Sequence, residues 1–139
     1  MSNLTSMFER AGIESETVIL DLGDNFDTSN VTSMRTMFEY VGYHSESVTI
    51  NLGSKFDTSK VADMVGMFAN VGYSDSTFTL DLGNKFSVVS IINNSYTSNT
   101  FASTGRANHL FKPTAQVKTQ AEKDEILSKF PNIEVTIKP

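Results

Sequence analysis

Residues 26–38 read FDTSNVTSMRTMF, and residues 56–68 read FDTSKVADMVGMF. A shortened form, SNLTSMF, opens the chain at residues 2–8. Internal repetition decides the architecture before any local reading does. An offset of 30 aligns the copies without gaps: Met7, Met37 and Met67 share a column, followed by Phe8, Phe38 and Phe68. Gly12, Gly42 and Gly72 align, as do Leu22, Leu52 and Leu82, then Gly23, Gly53 and Gly83, then Phe26, Phe56 and Phe86. Apolar residues and glycines hold the fixed columns while the columns between them vary, the mark of a stacked core with a free surface. The start admits a second alignment, since SNLTSM (Ser2–Met7) also matches SNVTSM (Ser29–Met34) with three residues missing before Phe8.

Within a unit the hydrophobic period changes. Val31, Met34, Met37, Phe38 and Val41 fall on one face of a helix, with Gly42 where a left-handed C-cap belongs. The SVTINLG stretch then alternates, with Val48, Ile50 and Leu52 on one side and Thr49 and Asn51 on the other. The other copies place Val18, Leu20, Leu22 and Phe78, Leu80, Leu82 in those slots. Strands separated by helices pair in parallel across neighbouring units. The expectation is an α/β solenoid: a leucine-rich-repeat-like right-handed coil with a parallel sheet on one face and helices on the other. Its strands lie near 17–22, 47–52 and 77–82, and its units span 1–30, 31–60 and 61–90. A degenerate coil follows at 91–112 and a C-terminal helix–strand cap at 113–139. In that cap, Thr119 and Glu122 form a capping box, Ile126, Leu127 and Phe130 an apolar face, and Pro131 a stop. Ile133, Val135 and Ile137 of the last strand face inward on this reading.

The phrase Phe-Asp-Thr-Ser-Asn-Val-Thr-x-Met-x-x-Met-Phe resembles the repeat of BspA-like leucine-rich-repeat bacterial surface proteins. Residues 26–38 match it throughout, and residues 56–68 depart at Lys60, Ala62 and Asp63. AQVKTQAEKDEILSKFPNIEVTI is similar to the strand–helix–strand endings of such arrays. The units here are longer, the excess lying around GYHSES and GYSDST. The resemblance implies a cell-surface or secreted protein acting in adhesion.

Composition narrows the function. A net charge of −5 over 139 residues argues against a nucleic-acid footprint, which needs clustered Lys and Arg. The absence of cysteine excludes disulfides and thiolate metal sites. No apolar run is long enough to insert in a membrane, and no signal-peptide pattern opens the chain. The two histidines, His44 and His109, sit in no nucleophile or zinc pattern, so neither catalysis nor a cofactor is expected. Asp21, Asp24 and Asp27 suggest calcium by spacing, yet the second unit offers Asn51, Ser54 and Asp57 and the third Asp81, Asn84 and Ser87. Thinning charge favours turn caps over a metal, with Asp27 and Asp57 capping amides.

The candidate binding surface is the strand face. Its outward ladders are Thr17, Ser47 and Thr77; Ile19, Thr49 and Thr79; and Asp21, Asn51 and Asp81. Tyr40, Tyr43 and Tyr73 are candidate anchors, or covers for the coil edge. The expected partner is an extracellular protein or glycan, with a structural spacer as the alternative role. Because the C-terminal end has a cap and the N-terminal end has none, the chain reads as the C-terminal fragment of a longer array. Its exposed first unit is expected to be hidden in a homodimer.

Overall fold

The computed structural model describes residues 2–73, 77–88, 90–91, 97–101, 114–117, 119–130, 134–137 and 139. Three strands, β1 (Thr17–Asp21), β2 (Ser47–Asn51) and β3 (Thr77–Asp81), form a parallel sheet in the order β1-β2-β3. The register keeps the offset of 30: Val18 pairs with Val48 and Val48 with Phe78, Ile19 with Thr49 and Thr49 with Thr79. A second parallel pair joins β4 (Thr114–Val117) to β5 (Glu134–Ile137), with helix α1 (Gln120–Lys129) between them in sequence. The described residues of 114–137 therefore run strand, helix, strand.

The offset of 30 also holds at the start, against the alternative alignment. Asn3, Ser33 and Asp63 bridge in parallel, and Leu4 takes the slot of Met34 and Met64. All three are buried. Met7 aligns with Met37 and Met67 yet is 48% exposed while they are fully buried.

The expected helices at 31–41 and 61–71 are absent. Residues 35–44 and 65–73 are runs of turns, as are residues 5–14. Their amides split into two sets. The N–H groups of Met34, Thr36, Phe38 and Tyr40 donate to the carbonyls of Asp63, Val65, Met67 and Ala69 in the next unit. The N–H groups of Met37, Glu39, Val41 and Tyr43 donate three residues back within their own unit. Left-handed backbone at Thr36, Tyr40 and Gly42, and at Gly66, Asn70 and Gly72, is incompatible with a right-handed helix. The stacking decides the matter, because a neighbour one unit away satisfies half of the amides that a helix would bond internally. Burial still follows the expected face: Val31, Met34, Met37, Phe38 and Val41 are all fully buried.

Phe8, Phe38 and Phe68 stack at 5.5 and 5.2 Å between ring centroids. Phe101, in a short 3-10 turn at Thr97–Phe101, adds a further rung at 5.2 Å from Phe68. The Phe68 N–H donates to the Thr100 carbonyl at 2.8 Å, as Phe38 does to Met67. The region 91–112 therefore continues the stack at this point with a spacing of 33. Most of the remaining residues of 91–112, His109 among them, lie outside the described residues.

The cap is tied to the third unit by side chains. The Thr119 hydroxyl accepts the Glu122 N–H, as the capping box predicts. Glu125 accepts from the Ser87 hydroxyl at 3.0 Å and from the Val88 N–H at 2.9 Å. Phe130 meets Phe101 edge-on at 5.1 Å. Val135 is buried, but Ile137 is 41% exposed, which corrects its inward assignment. It stands at the end of a short strand at the edge of a two-stranded sheet, where little remains to cover it. Ile133 lies outside the described residues.

Candidate functional site: the outward strand face

The Asp-Thr-Ser turn that repeats with the core proves to be a seam between units. Thr28 is buried, and its hydroxyl donates to the Asp57 carbonyl at 2.8 Å while accepting the Asp57 N–H at 2.7 Å. Thr58 does the same to Ser87, at 2.7 and 2.6 Å. A hydroxyl both donates and accepts, so one buried threonine satisfies two backbone groups of the next unit. Asp27 and Asp57 each accept the N–H two residues on, from Ser29 and Ser59, which are the caps expected of them. The Ser29 N–H, and then its side chain, hold Asp27 below the ordinary carboxylate range. Any stability that this interaction contributes is present above the unfolded-state value and lost as pH falls through the folded one.

Five side chains of the first two outward ladders stand clear of the core. Thr17, Ile19 and Thr79 are exposed, and Ser47 and Thr49 are half-buried. The side chain of Thr77 lies outside the described set. The third ladder does structural work. Asp21, Asn51 and Asp81 each turn a side-chain oxygen onto the N–H of the glycine two residues on, at 2.9, 3.0 and 2.8 Å. They end the strands as Asx-turns. The sequence shows this only through the glycine that follows each of them at a fixed distance.

The same economy gives Asp21, Asp24 and Asp27 hydrogen-bonding roles that do not call for calcium. Asp24 accepts from the Ser54 hydroxyl at 2.9 Å, in the neighbouring unit, while the other two cap amides. Among the described residues no group of three acidic or histidine side chains could hold a metal ion. Calcium and chelator are both expected to leave the denaturant midpoint unchanged. A calcium-dependent rise in melting temperature would contradict the caps.

The turn face carries the aromatic and charged residues. Tyr43 stacks on Tyr73 at 4.7 Å, Tyr40 leans on Tyr43 at 5.5 Å, and the Arg10 guanidinium lies 4.9 Å over the Tyr40 ring. The tyrosines thus spend much of their surface on one another across units. His44 is exposed, edge-on to Tyr43 and 3.8 Å from Glu14. Glu39 is raised above its ordinary value, first by burial and then by Glu9 in the preceding unit. Such a group binds its proton more tightly in the folded state, so the fold gains from it as pH falls through the folded value. Glu39→Gln is therefore expected to raise the denaturant midpoint at neutral pH. The gain should vanish below about pH 4, where the carboxyl is protonated in both states. A midpoint that falls at neutral pH would show that Glu39 is net favourable as a carboxylate.

Three parallel strands paired at an offset of 30 carry Thr17, Ile19, Ser47, Thr49 and Thr79 on the side away from the core. The sequence model of a family described as "Mycoplasma protein of unknown function, DUF285" matches residues 2–124, and the chain belongs to that family. No curated protein and no solved structure matches the chain. Among the described residues, no helix is long and apolar enough to cross a membrane.

Proposed function

We propose that the chain is a non-enzymatic recognition module of a cell-surface or secreted protein, binding an extracellular protein or glycan through its strand face. On this reading the units form a right-handed solenoid of the leucine-rich-repeat type, the right hand following from the rule for parallel crossovers. The resemblance of FDTSNVTSMRTMF to BspA-like surface repeats supports the location and the adhesive role. One structural observation carries the choice of face. Thr17, Ile19, Ser47, Thr49 and Thr79 stand outward in rows on paired strands and are not needed to fill the core. Repeat proteins use such extended rigid surfaces for partners. Asp21, Asn51 and Asp81, committed to glycine amides, frame that surface without being its contact residues. A spacer role is the second reading, favoured by how few outward side chains remain once those three are committed.

Binding of the purified chain to a glycan array and to a panel of purified extracellular proteins tests the reading. The double variant Thr49→Arg/Thr79→Arg should weaken binding by about tenfold or more, as loss of a central contact does, with an unchanged denaturant midpoint. Binding that ignores this double variant, or no binding to any probe, would leave the spacer.

A further inference from the structure

We propose that a cleft in the turn runs of the second and third units binds a neutral sugar, held by Glu39, Asn70 and Asn99. None of its residues belongs to the outward ladders, and its test does not depend on the strand-face reading. The cleft exists because the third unit carries small residues where the second carries larger ones. Gly66 stands in the column of Thr36, Ala69 in that of Glu39 and Asn70 in that of Tyr40. The backbone does not demand this. Thr36 and Tyr40 adopt φ 52° and 62°, in the same left-handed region as Gly66 at 67° and Asn70 at 60°. Full-sized side chains are thus carried at both slots one unit earlier. The Ser6 and Thr36 hydroxyls also bond at 2.8 Å, a link that Gly66 leaves off. With the spacing of 33 that places Phe101 after Phe68, Asn99 continues the column of Gly66. The opening that results has a volume of about 410 Å³, within the range of small-molecule sites.

Glu39 overhangs the gap. Its Oε2 lies 4.0 Å from where a Cβ on Gly66 would stand. The residue is half-buried, and among the described residues its carboxylate neither accepts a hydrogen bond nor forms an ion pair. A carboxylate drawn from water without a donor is costly, so a guest that supplies donors relieves it. Asn70 and Asn99 each bring a carboxamide to the cleft, with one acceptor and two donors. Neither carboxamide is engaged elsewhere among the described residues. Arg35 also lines the cleft, and only its Nη1 is held, 3.4 Å from Asp63.

This mixture selects the guest. Arg35 opposes an ammonium ion and Glu39 opposes an anion, so a neutral guest meets neither repulsion. The cleft offers donors and acceptors together, and a hydroxyl answers both because it donates and accepts. Adjacent hydroxyls of a pyranose can donate to the two oxygens of Glu39 while accepting from the Asn70 and Asn99 amides. The C–H face of the ring can rest on Val65, Gly66 and Ala69, which supply the apolar part of the lining.

Amide chemical shifts of isotope-labelled protein, titrated separately with glucose, galactose, mannose and N-acetylglucosamine, test the proposal. At least one of these sugars should shift the backbone amides of Gly66 and Asn70 and the side-chain amides of Asn70 and Asn99 saturably. The expected Kd is about 1–10 mM, as befits a small guest in an open cleft. Glu39→Gln keeps the size of the side chain but removes its charge, and should weaken binding by about tenfold or more, since bonds to a charged acceptor are the stronger ones. Gly66→Asn, a residue that tolerates left-handed backbone, fills the gap beneath Glu39 and should abolish binding. Thr49→Arg/Thr79→Arg should leave it unchanged. No saturable shift with any of these sugars, or binding that ignores Glu39→Gln or Gly66→Asn, would overturn the proposal. Binding lost in the strand-face double variant would overturn it too, by moving the sugar to that face. So would shifts of the same amides by N-acetyl-lysine amide alone, which would make the guest a cationic side chain.

Discussion

Phe56→Ala is expected to lower folding stability by about 3–5 kcal/mol, because truncating a fully buried ring removes its transfer energy and leaves a cavity. The ring is fully buried, with Phe26 and Phe38 each 6.5 Å away between centroids. Units above and below hold its walls, so the site cannot collapse. Phe26→Ala should cost distinctly less, since the same side chain in the first unit is only partly buried. Thr49→Ala, on the outward side, should shift stability by less than about 0.5 kcal/mol. Denaturant midpoints measure all three. Equal losses at Phe56 and Thr49 would mean that the inner and outer faces are wrongly assigned.

Gly53→Ala should be at least as damaging, for a reason that has nothing to do with cavities. Gly53 has φ +84°, and a Cβ there would strike the Gly23 carbonyl oxygen. Gly83 repeats the contact, its Cβ position lying 2.6 Å from the Gly53 oxygen. The obstacle is backbone, held by the pairing of the strands, and cannot swing aside as a side chain would. The loss should exceed about 4 kcal/mol, in the tail of single-substitution effects. Gly23→Ala isolates the conformational part. Its φ is +69° but a Cβ would meet nothing within 4 Å, because no described unit precedes it. It should cost about 1–2 kcal/mol, the ordinary price of a left-handed residue. Similar losses at both positions would mean that the units do not approach as closely as the Gly23–Gly53–Gly83 column requires.

The offset of 30 was legible because a core that stacks on copies of itself must repeat its apolar residues at fixed spacing. The strands were legible for the same reason, as Val48, Ile50 and Leu52 alternate with residues that reach water. The helices were misread because Val31, Met34, Met37, Phe38 and Val41 satisfy a helical period whichever backbone carries them. The contrary signal lay in the third unit. Gly66 and Asn70 stand four apart inside the supposed helix, and both are residue types that tolerate the left-handed region they occupy. Thr36 and Tyr40 hide that signal one unit earlier. The rung at Phe101 escaped notice because its spacing grows to 33. The candidate face was legible as alternation, but not the commitment of Asp21, Asn51 and Asp81 to strand-ending amides. That needs the position of each following glycine N–H.

The stacking of units through their turn runs is tested most directly by scalar couplings across hydrogen bonds, measured by NMR on labelled protein. The account predicts couplings from the Phe38 amide nitrogen to the Met67 carbonyl carbon and from Leu22 to Asn51, matching bonds of 2.8 and 2.9 Å. A coupling from Phe38 to the Met34 carbonyl, the bond of an α-helix, would contradict it.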